Sequence, residues 1–300
     1  MRIAIHSGTS NRGTIDRILA EARKAADYGL SGYWAPMLNG HDTLTVLAIV
    51  GREVAGIELG TAVVPMPLRP VYALAQQVTT VQEAIGGRLA LGLGPSHEAL
   101  VRDLFGLEWT PPLPATRQYV QELTRILAGE GDRRVVVGTG AATPVLLGAV
   151  NPAMAGLAGA LASGVITWAA GRATVTDVIR PAVESALAKR PADAQPQSPF
   201  RIVTALPVCV TDDTPAGRAQ VDRLLGANDA LPSYQKVLRR EGVAGVAELA
   251  VVGSPQEVEE QLRAFAEAGA TDFAAHVVGP EARDRERTWE VLAACAKNLL

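Results

Sequence analysis

Lysine is scarce in this chain. Of 28 basic residues only Lys24, Lys189, Lys236 and Lys297 are lysines, and the arginines are scattered rather than gathered into a block. With a net charge of −3, no stretch offers the cationic surface on which nucleic acid condenses. Long apolar runs are also missing. None reaches the roughly 18 residues that a membrane helix needs, and the chain opens directly on the strand-like MRIAIH, without the ordered regions of a signal peptide. The two cysteines, Cys209 and Cys295, stand far apart in no zinc spacing, which fits a reducing cytoplasm. No HxH or HExxH pattern exists, so no metal site is expected. No GxSxG elbow supports a serine nucleophile, and HSGTSNRG (6–13) has the wrong spacing for a dinucleotide fingerprint.

What is present is alternation. Strand-like runs fall near 2–6, 31–35, 58–64, 88–93, 144–149, 164–169, 201–210 and 272–278, with amphipathic helical patterns between them. Ile15, Ile18, Leu19, Ala22 and Ala26 keep one helical face, as do Val71, Leu74, Ala75, Val78, Val81 and Ile85. Eight strands alternating with helices imply a parallel sheet with right-handed crossovers. At this length the closed (β/α)8 barrel is the expected fold, one domain over 1–300, with an open doubly wound sheet as the alternative. Two connections exceed a plain barrel, giving insertions near 95–143 and 211–271. The first holds a helix at about 114–128 and then GEGDRRVVVGTGAATP (129–144), which reads as a short hairpin. Long insertions in barrels often build the rim of the site.

Barrel chemistry lies at the C-terminal ends of the strands. Three of the four histidines fall on that edge: His6 ends the first run, His41 follows the second, and His97 follows GLGPS after the fourth. His276 falls inside the last run. Imidazole suits proton transfer near neutral pH, although any one loop histidine is as readily an incidental polar residue. Asn151-Pro152 reads as an N-cap and first helical residue, and Asp42 as the cap of the helix at TLTVLAIV.

Three segments carry a resemblance: LGTAVVPMPLRPVYALAQQVTTVQEAIGGRLALGLGPSHEAL (59–100), PVLLGAVNPAMAGLAGALASGVITW (144–168) and LAVVGSPQEVEEQLRAFAEAGATDFAAH (249–276). Together they resemble the bacterial luciferase-like superfamily of flavin and deazaflavin oxidoreductases, and GLGPSH is similar to its branch using coenzyme F420, an 8-hydroxy-5-deazaflavin. The resemblance implies a (β/α)8 barrel whose mouth holds the ring, a cis peptide at Ala62–Val63, and cofactor contacts from Ala62, Val63, Gly94, Ser96, His97, Gly148, Ala149, Val150, Asn151, Thr167 and Trp168. Gly92 and Gly94 would let backbone pass close to the flat ring. The implied reaction is hydride transfer between the deazaflavin and an organic substrate, with His97, His6 or His41 moving the proton. Trp34, Met37 and Met66 would form an apolar rim for the substrate. Glu98 lines up with an acid of some relatives and equally suits a helix first turn. The acid or histidine that many relatives carry directly after the second strand is replaced here by Trp34-Ala35-Pro36-Met37. The alternatives are an FMN-dependent monooxygenase using oxygen and a non-catalytic flavin-binding homologue. The partners expected are a small-molecule substrate and, from the resemblance, a second copy in a homodimer formed through 43–55 and 70–85.

Overall fold

The structure is a computed structural model that describes residues 1–130, 142–196 and 198–298. The expected hairpin in 129–144 lies almost wholly outside the described residues. The strands are β1 (Arg2–His6), β2 (Gly32–Ala35), β3 (Glu58–Thr61), β4 (Val64–Pro65), β5 (Leu89–Gly94), β6 (Val145–Gly148), β7 (Gly164–Trp168), β8 (Arg201–Val210), β9 (Val251–Gly253) and β10 (Asp272–Val277). All pairings are parallel, in the order β10–β1–β2–β3–β5–β6–β7–β8, and β8 pairs with β10 to close the ring. The outcome is the (β/α)8 barrel, with β9 added outside on the far end of β8. Such strands are covered on both faces, so they read as continuous apolar runs; every residue of LALGLG in β5 is buried.

Two apolar layers result. An inner one fills the barrel with Ala4, Trp34, Ala90, Leu146, Ile166, Val203, Ala205 and Ala274. The outer one packs the helices on the sheet, for example Ile18 and Ala22 of helix Ile15–Asp27 and Leu74, Ala75 and Val78 of helix Val71–Ala84. The N-terminal end of the barrel is plugged by ions. Arg201 donates to Asp272 at 2.8 Å and to Glu58 at 2.8 and 3.0 Å, and Arg2 pairs with the same Asp272 at 2.6 Å.

The third expected run is not one strand. It breaks after Thr61 into a bulge containing a cis peptide at Ala62–Val63 and resumes as β4. Where the ladder to β5 is interrupted, Thr61 replaces it: its hydroxyl donates to the Gly92 carbonyl at 2.7 Å and accepts from the Gly92 N–H at 2.8 Å. The two glycines of β5 serve this bulge. A Cβ on Gly92 would collide with the Thr61 carbonyl, and one on Gly94 would lie 2.7 Å from Val63 Cγ2. Their missing side chains thus make room for the bulge, and Gly94 also lines the cavity.

Asn151 and Asp42 cap their helices as expected, accepting from Met154 N at 3.0 Å and Thr45 N at 2.9 Å. The insertion after β8 folds as helices Thr214–Leu225, Pro232–Glu241 and Val246–Leu249, ahead of the barrel's own helix Pro255–Ala268. Among the described residues no helix is long and apolar enough to cross a membrane.

Candidate active site

The C-terminal ends of the strands open into a cavity of about 1480 Å³. That exceeds the roughly 300–1,000 Å³ typical of a pocket for one small ligand, and leaves room for a cofactor and a substrate together. Its walls include every residue that the resemblance places at a cofactor, from Ala62 and Val63 through Gly94–His97 and Gly148–Asn151 to Thr167 and Trp168. The Val63 side chain stands between Gly94 and Gly148, 3.5 Å from where a Gly148 Cβ would be. The only two non-glycine residues with positive φ among those described flank this mouth: Ser96 at 66° and Ala169 at 50°. L-residues visit that region rarely. At Ser96 the turn carries His97 out to the rim, where its Nδ1 lies 3.4 Å from Ser233 Oγ and its ring 5.7 Å from Tyr234. Burial lowers the His97 pKa and raises that of Tyr234.

At the floor, His6 lies flat against Trp168, with centroids 4.5 Å apart and planes at 24°. Burial, and next the charge His276 would carry, push its imidazole down to about 3. His276 stands edge-on to both rings and lines the same cavity. His276 does lie inside the last strand, as its spacing implies, but as the penultimate residue of β10 it already stands at the functional end. The insertion adds a rim that no sequence motif signals, with Lys236, Arg240, Ser233 and Tyr234 facing the cavity. Lining charges are Arg12, Lys236, Arg240 and Arg285 against Glu98, which pairs with Arg102 at 2.8 Å.

Three expected residues are not in the cavity wall. Trp34 is 1% exposed inside the barrel, with the Arg201 guanidinium 5.2 Å over its ring, so it belongs to the filled lower layer. Met66 is buried in the outer layer. His41 turns away, its Nε2 2.9 Å from the Gly13 carbonyl, and ties the loops after β1 and β2 together. Met37 does line the cavity, with Arg69 Nη1 3.3 Å from its sulfur; Arg69 in turn pairs with Asp42.

Residues 1–272 match the model of the luciferase-like monooxygenase family. The chain belongs to this family. It is 30% identical over 161 residues to a 5,10-methylenetetrahydromethanopterin reductase of Methanolobus tindarius, a match spanning 50% of this chain and 49% of that protein, about half of each. It is 24% identical over 300 residues to the reductase of the same name from Archaeoglobus fulgidus, covering 86% of this chain and 88% of the relative. Among solved structures, the coenzyme F420-dependent tetrahydromethanopterin reductase of Methanopyrus kandleri superposes with a TM-score of 0.78 at 19% identity, over 97% of both chains, a likeness of fold.

The cavity combines apolar backbone and side chains with polar atoms and cationic side chains. The Val63 bulge, with Ala62 beside it, is an apolar platform, and the buried Thr167 Oγ1, His6 Nδ1, His276 Nδ1 and Arg240 Nη1 have no hydrogen-bond partner in the protein. Buried polar atoms of this kind are rare, because each left unpaired costs about 1–3 kcal/mol. They are groups that a bound ligand can satisfy, three of them on neutral side chains or imidazoles and one on the Arg240 guanidinium.

Proposed function

We propose that this luciferase-like protein is an F420-dependent oxidoreductase acting on a small organic molecule, with a C=C, C=N or carbonyl/alcohol group as the reacting centre, and working as a cytoplasmic homodimer. The observation that carries the reading is the Val63 platform facing a cavity with cationic walls. The name of the Methanopyrus kandleri reductase, which depends on coenzyme F420, supports the same cofactor. F420 carries a phosphodiester and several carboxylates, and Arg12, Lys236, Arg240 and Arg285 provide more positive charge than a single phosphate monoester requires. Gly148–Asn151, by contrast, contains no arginine or serine to grip such a monoester.

In this reading Ala62 and Val63 support the ring, Thr167 and Asn151 border its polar edge, and Arg240 holds the anionic arm. The bound deazaflavin supplies a carbon that gives or accepts hydride. The chain supplies orientation, through the bulge and the turn at Ser96, and keeps water away from the reacting carbon with the Trp168–His6 floor and the rim over Pro232–Glu241. Met37 and the rim residues border the space left for the substrate. Dimerisation would use helices Thr43–Glu53 and Val71–Ala84, which leave Ile49 and Tyr72 each 38% exposed.

The test of this assignment is a fluorescence titration with F420. Saturable binding at one site is expected, weakened about tenfold by Arg240→Gln, the scale of one charge-assisted hydrogen bond at a partly open site. Binding unaffected by Arg240→Gln would remove the arginine from the site, and no binding would remove the cofactor.

A further inference from the structure

His276 has ionic surroundings that neither of the other cavity histidines shares. Its ring stands at 89° to Trp168 with centroids 5.8 Å apart, and at 71° to His6 with centroids 5.5 Å apart. On another side lies residue 8. A Cβ on Gly8 would sit 3.5 Å from His276 Cε1 and 3.7 Å from Glu21 Oε1. Imidazole and carboxylate therefore face each other across the one residue whose missing side chain leaves the space.

Glu21 comes from helix Ile15–Asp27 and collects donors from the loop after β1. Ser7 Oγ lies at 2.7 Å, Thr9 Oγ1 at 2.6 Å, Tyr33 Oη at 2.7 Å and Gly8 N at 3.3 Å. These hydroxyl and amide donors fix the Glu21 carboxyl group in place beside Gly8. Yet among the described residues no lysine or arginine pairs with Glu21. The cation-forming group it faces is His276.

We propose that His276 is the residue that exchanges a proton with the substrate, and that Glu21 is its positioning residue, acting through it. Two adjacent imidazoles cannot both hold a proton at this spacing without repulsion, and the surroundings divide the roles. His6 lies flat on Trp168, and burial keeps it neutral. Burial lowers His276 as well, but the Glu21 charge opposes the shift. The titratable or charged groups around this corner are His6 from β1, Glu21 from its helix, Tyr33 from β2 and Arg285, whose guanidinium donates to the Gly279 carbonyl at 2.8 Å just beyond β10. His97 is at the rim beside Ser233, away from this pair.

The chemical meaning rests on the F420 reading. In the reducing direction a bound reduced deazaflavin would supply the hydride, whose electron pair would form the new C–H bond on the substrate. The π pair of the C=O or C=N bond moves to the heteroatom, which takes a proton as the His276 N–H bond breaks. His276 would regain a proton from water, balanced by the ring N–H proton that the oxidised cofactor would give up to water, so two electrons and two protons would be transferred in all. Oxidation runs the same steps backwards.

The experiment is a 1H–13C titration of imidazole signals in the ligand-free protein, each of the four histidines assigned by its own His→Gln variant. His276 is expected to titrate, with Glu21→Gln lowering its midpoint by about half a pH unit or more, while His6 stays neutral into the acid range. Gly8→Ala inserts a methyl group between the pair at ordinary contact distance and should lower the same midpoint, so the test survives if Glu21→Gln fails to fold. A His276 midpoint unmoved by both variants, or His6 titrating above His276, would overturn the proposal. F420 binding is measured separately on the wild-type protein; its failure would remove the cofactor reading and leave the His276–Glu21 pairing standing.

Discussion

Val63 occupies the space that a side chain at residue 94 would need: a Cβ there would lie 2.7 Å from Val63 Cγ2. The platform of the cavity and the end of β5 are thus fitted to each other. Gly94→Ala should push Val63 toward the ligand. Overpacking of this kind costs about 1–3 kcal/mol, and the displaced side chain should weaken F420 binding by about tenfold. Thermal unfolding and a binding titration of the same variant would show it; unchanged affinity would mean that Val63 does not support the ligand.

At the opposite end, Asp272 is the shared partner of Arg2 and Arg201, with its side chain 2% exposed and that of Arg201 13%. Asp272→Asn leaves Arg201 with half its charge compensation, and breaking a buried pair costs about 3 kcal/mol. Burial alone would raise the Asp272 pKa, but the hydrogen bonds and charge of Arg201, followed by the charge of Arg2, outweigh it and hold it below the ordinary value. The folded pKa thus lies below the unfolded value of about 3.9. Its stabilisation is fully present above that value and is lost as pH falls through the folded one. Urea midpoints of wild type and Asp272→Asn should differ by a constant amount above about pH 5 and converge below about pH 4. A gap that widens on acidification would reverse the sign.

Much of this architecture was legible. Parallel barrel strands are apolar on both faces, so the eight barrel runs stood out, and the caps at Asp42 and Asn151 follow from residue chemistry. What escaped has physical causes. Ala62 and Val63 are as apolar as a strand interior, so only the resemblance, and not the pattern, pointed to the bulge. Trp34 and Met66 lie near the correct edge by count, but the side-chain direction that puts Trp34 inside the barrel and Met66 outside it depends on register. Glu21 reaches the floor from a helix whose sequence shows only an ordinary amphipathic face.

His97 joins the turn at Ser96 to the inserted helix through Ser233. One such hydrogen bond contributes about 0.5–1.5 kcal/mol. His97→Ala and Ser233→Ala should each raise KM by about 2–10-fold and leave kcat nearly unchanged. A fall in kcat of a hundredfold in His97→Ala alone would assign the proton transfer to His97 instead of His276.

Ile49 and Tyr72 are the large apolar side chains left exposed on helices Thr43–Glu53 and Val71–Ala84. Replacing both with glutamate should shift the mass in solution, measured by light scattering at micromolar concentration, from dimer to monomer with the fold retained. A wild-type monomer at that concentration would contradict the proposed homodimer.

The most direct test of the account compares two cofactors on one preparation. Equilibrium titration of the ligand-free protein with F420 and with FMN, at fixed ionic strength, should give a Kd for F420 at least about tenfold lower, a difference of about 1.4 kcal/mol. Raising the salt concentration should erode that preference, because the cationic wall at Arg240 and Lys236 is partly open to solvent. FMN binding as tightly as F420, or more tightly, would contradict the assignment.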